Sequence, residues 1–367
     1  MEFANVKAFA EMSKDLYDAM KTYALNYNLQ RKGLKAFADH SENEMAQLIN
    51  KAFALEVAKQ SGMELPDLNN KTEVKRYAMN PMVRFFANQI QDVMIDMILP
   101  ETLMTGSLKY FADMKFADLG DTIKFDIKSN SLFTVSKAGN RQRTTNQQKT
   151  FRTTVTMAGV NHEITVGTTL FEILTGQSYL AEEVMKVARS IETAMLFDAY
   201  DAFTTEMGGL TGSKLAVANY AENSLITLCE TVTAYNQGRK AVIIGTPVAL
   251  KYVLPTNTNY RYLLDDDYVK LGHLQTFNGY DVLPMEQVAN PYNPTAYSLK
   301  LKDDVIYVVS PASDKIVKVG VFGGTFSHQD NSYDNANKTI ENTTEKSWEV
   351  AVVTNSVAGI VEDLDGE

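Results

Sequence analysis

This 367-residue chain has one cysteine, Cys229, so no disulfide can form within it, and a reducing compartment is the expectation. Cys229 lies among Leu225, Ile226 and Leu228 and reads as a small buried apolar side chain. Trp348, the single tryptophan, opens an apolar strand and reads as core. No stretch approaches the roughly 20 uninterrupted apolar residues that a membrane helix needs. The first residues, Met1 to Lys7, do not have the basic start and apolar core of a secretory signal. The four histidines, His40, His162, His273 and His328, are scattered without metal-ligand spacing, and structural or surface roles are expected. His162 and Glu163 sit in an alternating strand with no paired nucleophile. Gly208 to Gly212 and Gly323-Gly324 match neither phosphate-loop pattern and read as turns. The carboxylates Asp265, Asp266 and Asp267 lack the further ligands of a calcium loop and read as solvated. No catalytic, metal or cofactor-binding set is expected, and the chain reads as a non-enzyme.

A different shortage is local. Between Ile127 and Asn161 there is no Asp or Glu, yet Lys128, Lys137, Arg141, Arg143, Lys149 and Arg152 fall in or beside that stretch, in a chain of formal net charge −10. A run of one sign inside a chain of the other usually acts on something at a distance. Ile123, Phe125 and Ile127 alternate with polar residues going out, and Phe151, Thr153, Val155 and Met157 alternate coming back, which predicts a long hairpin. A two-stranded ribbon alone is marginal in water, so this one is expected to lie on an acidic neighbouring subunit. The ribbon tip has no aromatic stacking residues for nucleic-acid recognition, and a sequence pI near 5.1 argues against avid nucleic-acid binding by the whole surface.

Residues 1 to about 77 read as helical, with Phe9, Met12, Leu16, Met20 and Tyr23 at steps of three and four. Met45, Leu48, Ile49, Ala52 and Leu55 nearly repeat the pattern before Gly62 and Pro66 break it. Met82 to Leu99 predicts another helix, ending at Pro100. The most regular element runs from Ser178 to about Met207, with the apolar stripe Leu180, Val184, Val187, Ile191, Met195 and Ala202. Its other faces carry Glu182, Glu183, Glu192, Asp198, Asp201 and Glu206 against only Lys186 and Arg189. From about Asn223 the texture becomes short alternating units. A helix over 225–235 precedes a buried strand over 241–245, and Thr246-Pro247 starts a helix. Asn278-Gly279 marks a tight hairpin, and strands are expected over 305–309, 316–321 and 348–353. Ser327 to Lys346 reads as a polar connection, and the tail is acidic.

This order of parts resembles the major capsid proteins of tailed bacteriophages, the Hong Kong 97-type fold. The local wording is similar over Ala241 to Leu250, Leu271 to Leu283 and Asp304 to Val309. The resemblance implies an α+β chain with an N-terminal helical arm, a long E-loop β-hairpin, a peripheral domain with a long spine helix, and an axial domain. It places an arm or extension over 1–77, the first peripheral part over 78–118 and the E-loop over 119–163. The spine-helix part covers 164–224, the axial domain 225–338, and the final peripheral strand with its acidic tail 339–367. Whether the first 77 residues are an arm, a scaffolding segment or a cleaved segment stays open. If an arm, they are expected against neighbouring subunits.

The implied function is the major capsid protein of a tailed double-stranded DNA phage, assembling into hexamers and pentamers of an icosahedral head. An encapsulin-type shell and a cytosolic enzyme with an unrecognised site are the alternatives. Expected inter-subunit contacts are Lys137, Arg141, Arg143, Lys149, Phe151 and Arg152 on the E-loop, with Glu182, Glu183, Glu192 and Asp198 on the spine helix. A cross-link from Lys137 or Lys149 to Asn355 is conceivable within such a family. The implied partners are the chain itself, a portal, and scaffolding or decoration proteins. DNA would be enclosed without specific binding, with no cofactor and no membrane. The implied location is the virion capsid, assembled in the bacterial cytoplasm.

Overall fold

A computed structural model describes residues 14–31, 41–105, 108–128, 147–256, 266–311, 314–329 and 342–364, with positions 33, 34, 37, 133, 135 and 137 between them. The described residues begin with four helices, α1 (Lys14–Arg31), α2 (Glu42–Ser61), α3 (Lys71–Ala78) and α4 (Pro81–Thr105). Ser41 and Glu44 start α2 with a reciprocal capping box, and Gly62 ends it in the left-handed region at φ 67°. Helix α4 runs through Pro100 rather than ending there. Met94, Ile95, Ile98 and Leu99 are buried in the preceding turns, and one missing N–H does not outweigh that packing.

After the single turn α5 (Leu108–Phe111) come strands β1 (Ala112–Ala117), β2 (Ile123–Lys128), β3 (Arg152–Met157) and β4 (Val160–Val166). A short helix α6 (Leu170–Leu174) leads into α7 (Leu180–Gly208). At 29 residues α7 is on the order of 45 Å long. Its residues Leu180, Val184, Val187, Ile191 and Met195 are buried, as the stripe predicts, while Ala202 is half-buried.

The later region holds β5 (Ala216–Val217), α8 (Glu222–Tyr235), β6 (Val242–Gly245), α9 (Pro247–Leu250) and α10 (Asp266–Leu271). It continues with β7 (Thr276–Phe277), β8 (Tyr280–Pro284), β9 (Ile306–Val309), β10 (Val317–Gln329), β11 (Asn342–Val352) and β12 (Gly359–Val361). Thr246 caps α9 by accepting from the Ala249 N–H, with Pro247 in the first turn. The Asn278-Gly279 turn joins β7 to β8, both residues at positive φ.

Two larger sheets result. One has the order β1-β10-β11-β4, with β1 parallel to β10 and the other pairs antiparallel. The other has the order β5-β12-β9-β6-β8-β7. Strands β6 and β9 are buried along their whole length, because α7 packs on one face of this sheet and α8 and α9 on the other. Phe203 of α7 meets Tyr307 of β9 edge-on at 4.9 Å.

The N-terminal helices do not form a separate arm. Leu16, Met20, Tyr23, Ile49, Phe53, Val57 and Val74 share one core with α7 and the four-stranded sheet. Asn50 of α2 accepts from the Leu180 N–H and donates to the carbonyls of Ile173 and Ser178. Tyr179, at the cap position of α7, offers no side-chain cap. The long helix therefore takes its N-terminal cap from a residue 130 positions earlier. The apolar faces of residues 14–78 are used inside this chain.

The connection read as polar from Ser327 to Lys346 is also corrected. Residues Phe326–Gln329 pair with Asn342–Glu345, so β10 and β11 extend into it as antiparallel strands, and β11 pairs on its other side with β4. Thr325, Ser327, Thr343, Thr344, Lys346 and Ser347 are buried there. Residues 330–341, the middle of that connection, lie outside the described residues.

Candidate assembly surface

The basic stretch is built on a root that the chain fixes firmly. Strands β2 and β3 pair antiparallel from Ile123↔Met157 to Lys128↔Arg152. Ile123, Phe125, Ile127 and Met157 are buried, and Ile123, Phe125 and Met157 form a small core with Phe322 of β10. The hairpin base therefore lies across the outer face of the four-stranded sheet. Gly320 permits that approach, since a Cβ there would come within 3.0–3.2 Å of Phe322, Met157 and Ile123. Gly159, at φ 84°, has its Cβ position only 2.7 Å from the Phe322 ring.

Polar contacts lock the same root. Glu349 accepts from the N–H groups of Ala158 and Gly159 at 2.9 and 3.1 Å. Lys115 donates to the Lys124 carbonyl at 2.7 Å and sits 4.5 Å over the Phe125 ring. Asn355 donates to the Lys128 carbonyl at 2.7 Å, so it serves the root of its own hairpin.

Beyond the root the ribbon is open. Lys137, Lys149, Phe151 and Arg152 are exposed, as are Phe133 and Val135, the latter by 92%. Arg141 and Arg143 lie outside the described residues. Apolar and cationic side chains thus stand in water together, next to a root that cannot swing freely. A surface of this kind can cover another protein surface.

The acidic helix is less open than its sequence suggests. Glu182, Glu183, Glu192 and Asp198 are all half-buried. Burial raises the Glu183 carboxyl above the usual range, while Thr168, Ser178 and Lys186 pull it back. Asp198 accepts from Trp348 Nε1 and the Tyr292 hydroxyl, both at 2.9 Å, and lies 3.8 Å from His162 Nε2. His162 and Trp348 stack at 3.5 Å between ring centroids. Tyr292 belongs to the loop after β8, whose Lys300 also pairs with Asp201 and lies over Phe197. Asp198 therefore joins the long helix, the four-stranded sheet and a loop of the six-stranded sheet within one chain.

Sequence reasoning missed that junction, because the residues concerned are far apart in the chain and carry no shared motif. Its signal was present only singly, in a lone tryptophan and an acidic helix position. Cys229 is buried, and burial pushes its thiol up to about 12, leaving it inert. Among the described residues no group of three or more His, Cys, Asp or Glu side chains could hold a metal. No helix of the described residues is long and apolar enough to cross a membrane.

A family model described as "SPbeta prophage-derived putative capsid protein YonB" matches residues 20–362. The chain belongs to this capsid-protein family. The YonB match begins inside α1, so most of the N-terminal helical region is part of the family's own pattern. Among solved structures, the chain is similar to the capsid of a native GTA particle, with 12% identity and a TM-score of 0.46 over 70% of this chain and 90% of that one. The capsid of cyanophage P-SCSP1u gives 9% identity and a TM-score of 0.43, over 69% and 86%. A virus-like particle from Pyrococcus furiosus gives 11% identity and a TM-score of 0.38, over 73% and 97%. No curated protein matches the chain.

Proposed function

We propose that this chain is the major capsid protein of a tailed phage or prophage, a structural subunit that acts by self-assembly into a closed shell and not by catalysis. The observation that carries this reading is the YonB match over residues 20–362, which spans both sheets and the long helix. In this reading the hairpin from about 119 to 163 is the E-loop and α7 the spine helix. The peripheral domain combines residues 78–118, 164–224 and 339–367; of the expected axial stretch 225–338, β10 joins the four-stranded sheet between β1 and β11, so the axial domain keeps residues 225–316. Strand β12 pairs with β5 and β9 of the six-stranded sheet, so the last segment stitches the two domains together. Residues 1–77 then belong with the peripheral domain as a helical extension.

The exposed Lys137, Lys149, Phe151 and Arg152, with Arg141 and Arg143, lie on an adjacent subunit in the hexamers and pentamers. Each exposed ion pair contributes only about 0–1 kcal/mol, and repetition over many copies makes the sum matter. Of the helix carboxylates, Asp198 is engaged within its own chain, and the reading places Glu182, Glu183 and Glu192 at the inter-subunit contact. The shell encloses double-stranded DNA without specific binding, consistent with a net charge of −10. A portal, with scaffolding or decoration proteins, completes the virion, which is assembled in the bacterial cytoplasm.

Size-exclusion chromatography with negative-stain imaging of the purified chain tests the reading. Closed particles or hexamers and pentamers are expected. A compact monomer at all salt and protein concentrations would overturn it, and closed particles filled with a protein cargo would favour an encapsulin-type shell. Reversing Arg141, Arg143 and Arg152 to Glu should block assembly and leave the subunit folded. Normal particles from that triple variant would remove the E-loop from the interface.

A further inference from the structure

Where β10 runs on beyond β1, it and the adjoining stretch of β11, which stays paired with β4, bury polar side chains against α4. Lys346 and Asp96 form an ion pair at 2.8 Å, with side chains only 5% and 6% exposed. Lys346 also donates to the Gly323 carbonyl at 2.9 Å. The Thr325 N–H lies 3.0 and 2.8 Å from the two Asp96 oxygens, and its hydroxyl donates to Oδ1 at 2.6 Å. Asp96 is fully satisfied and balanced by one charge.

One turn earlier on α4 stands a second carboxylate with no cation of its own. Asp92 accepts from the Ser327 N–H at 3.0 Å through Oδ2. Its Oδ1 is closed off from solvent and has no hydrogen-bond partner among the described residues. Around it, Ser327 and Thr344 hydroxyls bond each other at 3.0 Å, Asn342 donates to Gln91 at 3.3 Å, and Asn88 donates to the Ser327 carbonyl at 3.4 Å. The seam thus holds two carboxylates against a single ammonium.

We propose that this seam is a proton-operated clasp, in which residues 325–329 of β10, a sheet edge paired with β11 alone, are held on α4 while Asp92 is protonated and loosen from it when Asp92 ionises. An ionised Asp92 would put one uncompensated negative charge on a half-buried side chain whose Oδ1 is closed off from water, next to a second carboxylate on the same helix face. Opening the ribbon gives that charge water. The other charged groups nearby do not supply a partner. His162 lies opposite Lys346 on β4, and Arg84 and Glu183 line the small cavity beside Gln91 and Asn342. His328 and Glu345 pair with each other at 3.8 Å.

The direction follows from linkage. Burial, the largest cause, pushes the Asp92 carboxyl up to about 7, the Ser327 hydrogen bonds pull it back, Asp96 pushes it further and Lys346 lowers it. An acid raised in the closed state stabilises that state fully below the open-state value and loses the effect as pH rises through the closed-state value. The clasp is therefore tightest in mild acid and weakest above neutrality. Nothing in this inference depends on particles forming.

Amide hydrogen exchange of the full chain, corrected for intrinsic rates, tests it. The opening constant of residues 325–329 should rise about 100-fold between pH 5 and pH 7 and level off above, following a tenfold change per pH unit. In Asp92→Asn, which keeps His162 and His328 in place, the same segment should show a flat profile. A flat wild-type profile, or an unchanged slope in Asp92→Asn, would overturn the proposal. If that variant does not fold, carbon-13 titration of the wild-type aspartate carboxyls decides, and finding no aspartate that titrates above pH 6 would equally overturn it.

Discussion

Two ribbons adjoin the four-stranded sheet and both are rich in polar residues; β2–β3 stands outside it, while the far stretch of β10–β11 stays within it beside β4. The β2–β3 hairpin buries only its root, at Ile123, Phe125, Ile127 and Met157, and shows Lys149, Phe151 and Arg152 to solvent. The β10–β11 ribbon does the reverse, burying Thr325, Ser327, Thr343, Thr344 and Lys346. The difference lies in what each finds beneath it. Helix α4 offers Asp92, Asp96 and Gln91 to the second ribbon, and buried polar groups are stable where they are bonded. The first meets Phe322 at its root and, past Arg152, none of its basic side chains has an ion-pair partner among the described residues. Polar composition alone does not say which side of a protein a ribbon faces.

The contrast predicts a graded set of effects. Lys346→Ala should be the most damaging change, because it leaves Asp96 charged, buried and uncompensated. A loss of about 3–5 kcal/mol is expected, read from urea denaturation, and a loss under 1 kcal/mol would mean the ribbon is not clasped as described. Gly320→Val should cost about 1–3 kcal/mol by overpacking Phe322, Met157 and Ile123. Its effect should appear as lost exchange protection in β2 and β3, leaving β11 protected. If β11 opens equally, the two ribbons are one cooperative unit.

Tyr292→Phe removes the hydroxyl that reaches Asp198 and should cost about 0.5–1.5 kcal/mol. Exchange should quicken in the loop around Tyr292 with the ribbons unchanged. Smallest of all, Arg152→Glu on the exposed side should change subunit stability by no more than about 0.5 kcal/mol. The same substitution belongs to the set expected to stop assembly. A large stability loss from it would place Arg152 in the subunit's own packing and end the contrast with Lys346.

The legible parts of the fold were those with local signatures. The spacing of Leu180, Val184, Val187, Ile191 and Met195 marked α7 to within two residues at its start and one at its end. Thr246-Pro247 and Asn278-Gly279 marked a helix start and a turn through the chemistry of one or two residues. The alternation of Ile123, Phe125 and Ile127 and of the return strand marked the two strands that pair at the hairpin root. The capsid resemblance rested on the order of such parts, and the YonB match agrees with it.

The illegible parts were partnerships across long separations. Asn50 looked like one polar position in a helix, yet it caps α7 130 residues later. Thr343 and Thr344 looked like linker residues, because alternation of small polar groups resembles a solvated loop unless an inner partner is known.

The sequence by itself determined where helices and strands form, where they turn, and that one basic segment has almost no apolar side to hide. Those properties follow from dihedral preference and from periodicity over a few residues, which any stretch of chain carries with it. Only the tertiary structure decided that the N-terminal helices join the α7 core and that Asp198 is a junction. It alone set Asp92 beside an ion pair already complete. Burial and charge balance depend on which distant segments meet, and that meeting is an outcome of packing the whole chain at once.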